Sequence, residues 1–196
     1  KINLIKSPGL DLFSTFVFKE RLKIFFNKNN KSLDDWYEFI SALFGGFPEI
    51  KTFGNRLSKL FQDSSYDILI DNQSLSFGVL KVQNKIPVIE IVHHPITKDY
   101  EYDLQFSKGI IQKISKWRWF SFLKMQKKVA PLMKVISTPS INSKDDIMKD
   151  FNVSKKNITV IPNGIDHINF SPKKHINRNS IQLITTASAD VPLKGL

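Results

Sequence analysis

The chain has 196 residues, of which 41% are hydrophobic and sixteen are Phe, enough for a sizeable core and too apolar for global disorder. It has no Cys, so no disulfide scaffold and no cysteine metal site, and no stretch approaches the ~20 apolar residues of a membrane span. The net charge of +11 is local: nine basic residues and no acid lie between Leu104 and Lys144, and outside that segment twenty basic residues meet 18 acidic ones. A confined basic field points to a particular anionic partner rather than to general solubility.

In chain order, helical spacing runs over 11–28 and 34–44, and "YDILIDNQ" (66–73) reads as a strand. A helical stretch (73–84) leads to a second strand, "IPVIEIVHH" (86–94), and a longer one (110–131) leads to a third, "LMKVIST" (132–138). The next helix spans 142–150, with Asn142 or Ser143 as N-cap and Asp145 and Asp146 in its first turn. A strand, "NITVIP" (157–162), precedes the polar, Pro-bearing stretch 171–180, which reads as a linker. The run "IQLITTA" (181–187) reads as a strand, and "ASADVPLKG" after it as a loop with a lysine at a helix mouth, the usual opening of a phosphate-binding βα unit. Apolar strands alternating with helices predict an α/β fold: a doubly wound parallel sheet with helices on both faces. Ligands of such sheets sit at the carboxyl ends of the strands.

One strand end carries "VHHPI". Adjacent strand residues face opposite ways, so His93 and His94 cannot both line one pocket in a regular strand. No Cys or third His lies nearby in sequence, which makes a metal site a poor fit; a neutral imidazole hydrogen-bonded to a bound hydroxyl fits better. Simple packing or capping by either ring remains the alternative. "PNG" (162–164) by itself is a tight turn and no more.

The basic segment has two readings. On one helical wheel, Ile110, Ile111, Ile114, Phe122, Met125, Val129 and Leu132 share a face, with Lys113, Lys116, Lys124, Lys127 and Lys134 opposite and Trp119, Phe120 and Leu123 among the lysines. An amphipathic helix docked on the sheet explains the apolar face. Aromatics within a basic face suit an anionic membrane surface, met by Lys113, Lys116, Trp119, Phe120, Lys124 and Lys127. No nucleic-acid motif accompanies the charge, so nucleic acid is not an expected partner.

The run "FNVSKKNITVIPNGIDHINFSP", preceded by "VISTPSINSKDDI" and followed by "ASADVPLKG", resembles retaining glycosyltransferases of family 4. The matching residues are Pro162, Asn163, Gly164, Ile165 and Asp166, then Phe170, Ser171 and Pro172. "DNQSLSFGVL", "HHPIT" and "WRWFSFLKMQKKV" are similar to a bacterial branch of that family, so the likeness runs from about residue 60 to the end. It implies two Rossmann-like domains of the GT-B type facing across a cleft. Residues 1–170 would form the amino-terminal, acceptor-side domain, without its first strand and Gly-rich loop. Residues 171–180 would link it to 181–196, the start of a nucleotide-sugar-binding domain, so the chain is expected to be a fragment.

The resemblance also implies roles. His93 would approach the donor sugar near the reacting carbon. Lys194 and Gly195 would contact the donor diphosphate, with Gly164 on the donor side, and Ser188 stands where many relatives carry an arginine. Asn72, His94 and Asp166 would line the acceptor side or cleft. The implied substrates are a nucleotide-diphosphate sugar and a glycan or lipid-linked acceptor, with no cofactor or metal, in the cytoplasm or on the inner face of the membrane. Retention with a diphosphate leaving group needs positive charge and amide donors, not a pair of carboxylates. The rival of another class is a non-catalytic basic α/β module for membranes or polyanions.

Overall fold

The computed structural model describes residues 9–61, 66–171 and 181. The expected linker beyond Ser171 and the strand 181–187 beyond its first residue lie outside the described residues, as do Pro172, Ser188, Lys194 and Gly195.

Three helices come first: α1 (Phe18–Asn27), α2 (Leu33–Leu43) and α3 (Glu49–Leu60). The helix expected from residue 11 starts only at Phe18, because Asp11 takes a left-handed φ of 50° and closes a turn that a helix cannot continue. Helix α2 opens on a capping box in which Ser32 and Asp35 satisfy each other's backbone amides. Helix α3 was not legible in the sequence. Gly54 at its centre reads as a breaker, yet it is the point of closest approach to the following helix.

The sheet consists of β1 (Leu69–Asn72), β2 (Val88–Ile91), β3 (Ile136–Thr138) and β4 (Ile158–Val160), all parallel and ordered β1-β2-β3-β4. Helix α4 (Phe77–Gln83) connects β1 to β2; α5 (Thr97–Gln105), α6 (Ile110–Trp119) and α7 (Leu123–Val129) connect β2 to β3; and α8 (Ile141–Phe151) connects β3 to β4. Strands laid down in chain order by crossovers of one hand put their helices on one face. The core therefore lies between α4, α7, α8 and the sheet, built on Val79, Val82, Val129, Ile136, Ile147 and Phe151. The expectation of an α/β fold on a parallel sheet holds. Among the described residues Ile70, on the face of the sheet away from that core, is 59% exposed.

Two further boundaries are corrected. Helix α8 is capped by Ser140, whose Oγ accepts from the Ser143 amide at 3.1 Å, and not by Asn142 or Ser143. The single helix expected over 110–131 is two helices joined by a 3₁₀ turn at Phe120–Phe122. That turn resets the helical phase, so Phe120, Phe122 and Leu123 all point into the core. The placement of Trp119, Phe120 and Leu123 among the lysines is thereby overturned. Phe120 is 8% exposed and packs on Tyr100 at 5.3 Å; Trp119 is half-buried against Phe13 and Phe47. The exposed apolar residues of α6 are instead Ile110, Ile111, Ile114 and Trp117, three of which the wheel had assigned to the packed face.

Candidate active site

The carboxyl ends of β1 and β2 bring together Asn72, His93 and His94. In the β1–β2 ladder Asn72 pairs with Ile91, so the chain crosses only Val92 before the histidines begin. Val92 is buried, and its amide donates to the Ser137 carbonyl at 2.8 Å, which ties the histidine segment to β3 as well. Pro95, buried, directly follows the histidines.

The two rings have different neighbours. His93 Nε2 lies 2.9 Å from Asn72 Oδ1, and the ring is exposed at the strand end. His94 turns toward α5, where its Nε2 stands 3.5 Å from Asp99 Oδ2. The expectation that adjacent histidines diverge is met, and only His93 shares a hydrogen bond with Asn72.

Below this surface lies a polar layer that the sequence reading missed. Asp71 and Glu90 are ladder partners whose side chains enter the core. Glu90 Oε1 accepts from the Leu75 amide at 3.2 Å and Asp71 Oδ2 from the Ser74 amide at 2.9 Å. Burial, reinforced by the Asp71 charge and a hydrogen bond between the two carboxyls, pushes the Glu90 carboxyl up to about 10. Glu90 is thus neutral near pH 7. A signal was present. Each acid alternates with inward-facing apolar residues, Leu69 before Asp71 and Val88 and Val92 around Glu90.

Gly164 and Asp166 sit on the loop after β4, at the same end of the parallel sheet but two strands away from β2. Asp166 caps its own turn: Oδ1 accepts from the amides of Ile168 and Asn169, both at 3.1 Å, and Oδ2 from Asn169 Nδ2 at 2.6 Å. The bonds from Asn169, backbone and side chain, and the Ile168 amide hold its carboxyl below the ordinary aspartate range. Gly164 has no left-handed φ, and a Cβ there would meet open space, so neither its backbone nor its surroundings demand a glycine.

The basic segment keeps its charge at the surface. Lys113, Lys124 and Lys127 are exposed, Lys124 lies over the Trp117 ring at 4.7 Å, and Lys116 is paired with Asp103 of α5 at 2.6 Å. No described helix is long and apolar enough to cross a membrane.

Comparison with known proteins gives this geometry its context. The sequence model of Glycosyltransferase Family 4 matches residues 24–168, which include all four strands and the Asn72–His93 junction. A protein of Mycolicibacterium hassiacum named MMP alpha-(1->4)-mannosyltransferase is 35% identical over 199 aligned positions, covering 100% of this chain. The match takes in 47% of that relative, so the chain spans about half the length of the curated protein it resembles. A parallel α/β sheet with its polar side chains at the strand ends, a family match over most of the chain and a relative aligned along its whole length lead to one assignment: the chain belongs to glycosyltransferase family 4.

Proposed function

We propose that this chain is the acceptor-side part of an enzyme that moves a sugar, with retention at the anomeric carbon, from a nucleotide-diphosphate sugar to a glycan or lipid-linked acceptor. The observation that carries the reading is His93, exposed at the carboxyl end of β2 and hydrogen-bonded to Asn72 at the end of β1. Strand ends are where an α/β sheet presents groups to a ligand, and an imidazole with one nitrogen already engaged can orient a sugar hydroxyl with the other. Family membership and the mannosyltransferase relative support sugar transfer as the reaction class.

In this reading the developing oxocarbenium ion is stabilised mainly by the departing diphosphate. Lys194 and Gly195 would receive that group, with Ser188 contributing a hydrogen bond where many relatives supply a charge. Neither a metal nor a cofactor takes part. Transfer also needs a closed cleft that excludes water and fixes the donor, so the 196-residue chain on its own should be inactive and the longer protein active. The experiment is an assay of the full reading frame with a panel of nucleotide sugars, following the anomeric configuration of the product. A reading frame that ends at Leu196 would instead favour the non-catalytic basic module.

We further propose a peripheral position on the cytoplasmic face of a membrane. Its support is the exposed surface of α6 and α7, with Ile111 (86% exposed), Lys113 and Trp117 (50% exposed) on α6, and Lys124, which lies over the Trp117 ring, and Lys127 on α7. Basic side chains add about 1 kcal/mol each at an anionic surface and exposed apolar side chains enter the headgroup boundary. Sedimentation with vesicles containing anionic lipid should show binding that salt weakens and neutral vesicles do not support.

A further inference from the structure

Three consecutive residues at the end of β1 each send a side chain to a different part of one junction. Asp71 turns into the core, where it accepts from the Ser74 amide. Asn72 turns outward and meets the His93 ring at 2.9 Å. Gln73 leaves the strand with a φ of 65°, and its side-chain amide crosses to the neighbouring segment. There Oε1 accepts from the His93 amide at 3.0 Å and Nε2 donates to the His94 carbonyl at 2.9 Å.

This crossing occurs where the backbone ladder ends. The last β1–β2 partners are Asn72 and Ile91, because after Asn72 the chain must turn back toward α4, capped by Ser76. The Gln73 amide supplies one donor and one acceptor to the histidine segment, as a further strand residue would have done. The conformation that allows it is costly. Gln73 and Leu75, at φ 44°, both occupy the left-handed region that residues with a Cβ avoid by roughly 1–2 kcal/mol each. Buried groups hold the strap in that form: Glu90 accepts from the Leu75 amide, and Gln126 Nε2 donates to the carbonyls of Gln73 and Ser74, both at 3.3 Å. A strained turn held from below by buried side chains is the pattern of a pre-organised site rather than of a passive connection.

We propose that Asn72 and Gln73 are the positioning residues of His93: Gln73 fixes its backbone, and Asn72 fixes its ring as the Nε2–H tautomer, leaving Nδ1 as a hydrogen-bond acceptor for a hydroxyl of the sugar. Asn72 Oδ1 can only accept, so the proton of the shared bond resides on His93 Nε2. A neutral ring then has its lone pair on Nδ1. The sugar hydroxyl rests on the transfer reading given above; the tautomer and the amide clamp do not.

The test is long-range proton–nitrogen NMR on protein labelled at its four histidines, with each signal assigned by a His→Gln variant. Above the imidazole pKa, His93 should show a single Nε2–H tautomer. Asn72→Ala should convert it to a mixture of both, while Asn72→Asp, which keeps an acceptor in place, should preserve Nε2–H. Gln73→Glu keeps the acceptor for the His93 amide and removes the donor to His94; it should shift the backbone signals of both histidines. In the longer protein, Asn72→Ala should lower kcat by roughly 10- to 100-fold with KM little changed. A mixed or Nδ1–H ring in the unaltered protein, or a His93 spectrum unchanged by Asn72→Ala, would overturn the proposal. A correct tautomer in a protein that transfers no sugar would leave the positioning intact and remove the transfer reading.

Discussion

Glu90 stands directly across the β1–β2 ladder from Asp71, and both carboxyls are buried on the same face of the sheet, at 0% and 5% exposure. Two like charges cannot be held there together, so Glu90 keeps its proton and the pair serves as a hydrogen-bonded support for the Ser74 and Leu75 amides. The strap that carries Gln73 toward His93 rests on this pair.

A pH dependence follows from Glu90. Its carboxyl titrates at about 10 in the folded protein against an ordinary value of 4.5, so between those values the folded state binds a proton that the unfolded state has released. The stabilisation is complete below pH 4.5 and declines as pH rises toward 10, by up to about 1.4 kcal/mol per pH unit. Glu90→Gln keeps a neutral acceptor for the Leu75 amide. Chemical denaturation between about pH 6 and pH 9 should show a flatter stability profile for that variant than for the unaltered protein. Glu90→Ala should cost roughly 2–4 kcal/mol at the acid end of that range, because it removes the acceptor and leaves a cavity, and less as pH rises, because the variant no longer carries the titrating carboxyl.

The helix pair α3–α4 crosses at two glycines. A Cβ on Gly78 would come within 1.8 Å of the Gly54 carbonyl oxygen, and one on Gly54 within 2.1 Å of Ser76 Oγ. Backbone must move to admit either. Gly78→Ala should therefore destabilise by several kcal/mol despite its better helix propensity, as read from a thermal melt. An unchanged melting temperature would show that the two helices separate at little cost.

The basic segment allows a comparison of two variant pairs. Trp119→Ser with Phe120→Ser removes rings packed on Phe13, Phe47 and Tyr100, and should cost roughly 3–5 kcal/mol for the buried Phe120 alone. Ile111→Ser with Trp117→Ser removes exposed rings and chains, and should leave the melt nearly unchanged while weakening binding to anionic vesicles. Loss of vesicle binding only in the first pair would contradict this assignment of faces.

The contrast shows what periodicity can and cannot carry. All four described strands and helices α4, α7 and α8 follow from apolar patterning, because each buries a face against its neighbours, whereas α6 keeps helical spacing but buries no residue. Helix α5 is polar and has no side-chain cap, and α3 carries a central glycine, so neither announces itself. Trp119 and Phe120 were misplaced because a single wheel cannot anticipate a 3₁₀ turn that shifts the phase of everything after it. At the site, His93 and Asn72 were legible as polar residues at strand ends. Gln73 was not, since its role depends on a left-handed backbone that sequence pattern does not encode.

The most direct measurement is sugar transfer by the product of the full reading frame, unaltered and as His93→Ala, with product configuration and kinetics followed together. The account predicts a product that retains the donor's anomeric configuration, and a His93→Ala enzyme whose kcat falls far more than its donor affinity, because a contact at the reacting carbon matters most in the transition state. Inversion of configuration, or His93→Ala kinetics equal to those of the unaltered enzyme, would contradict it.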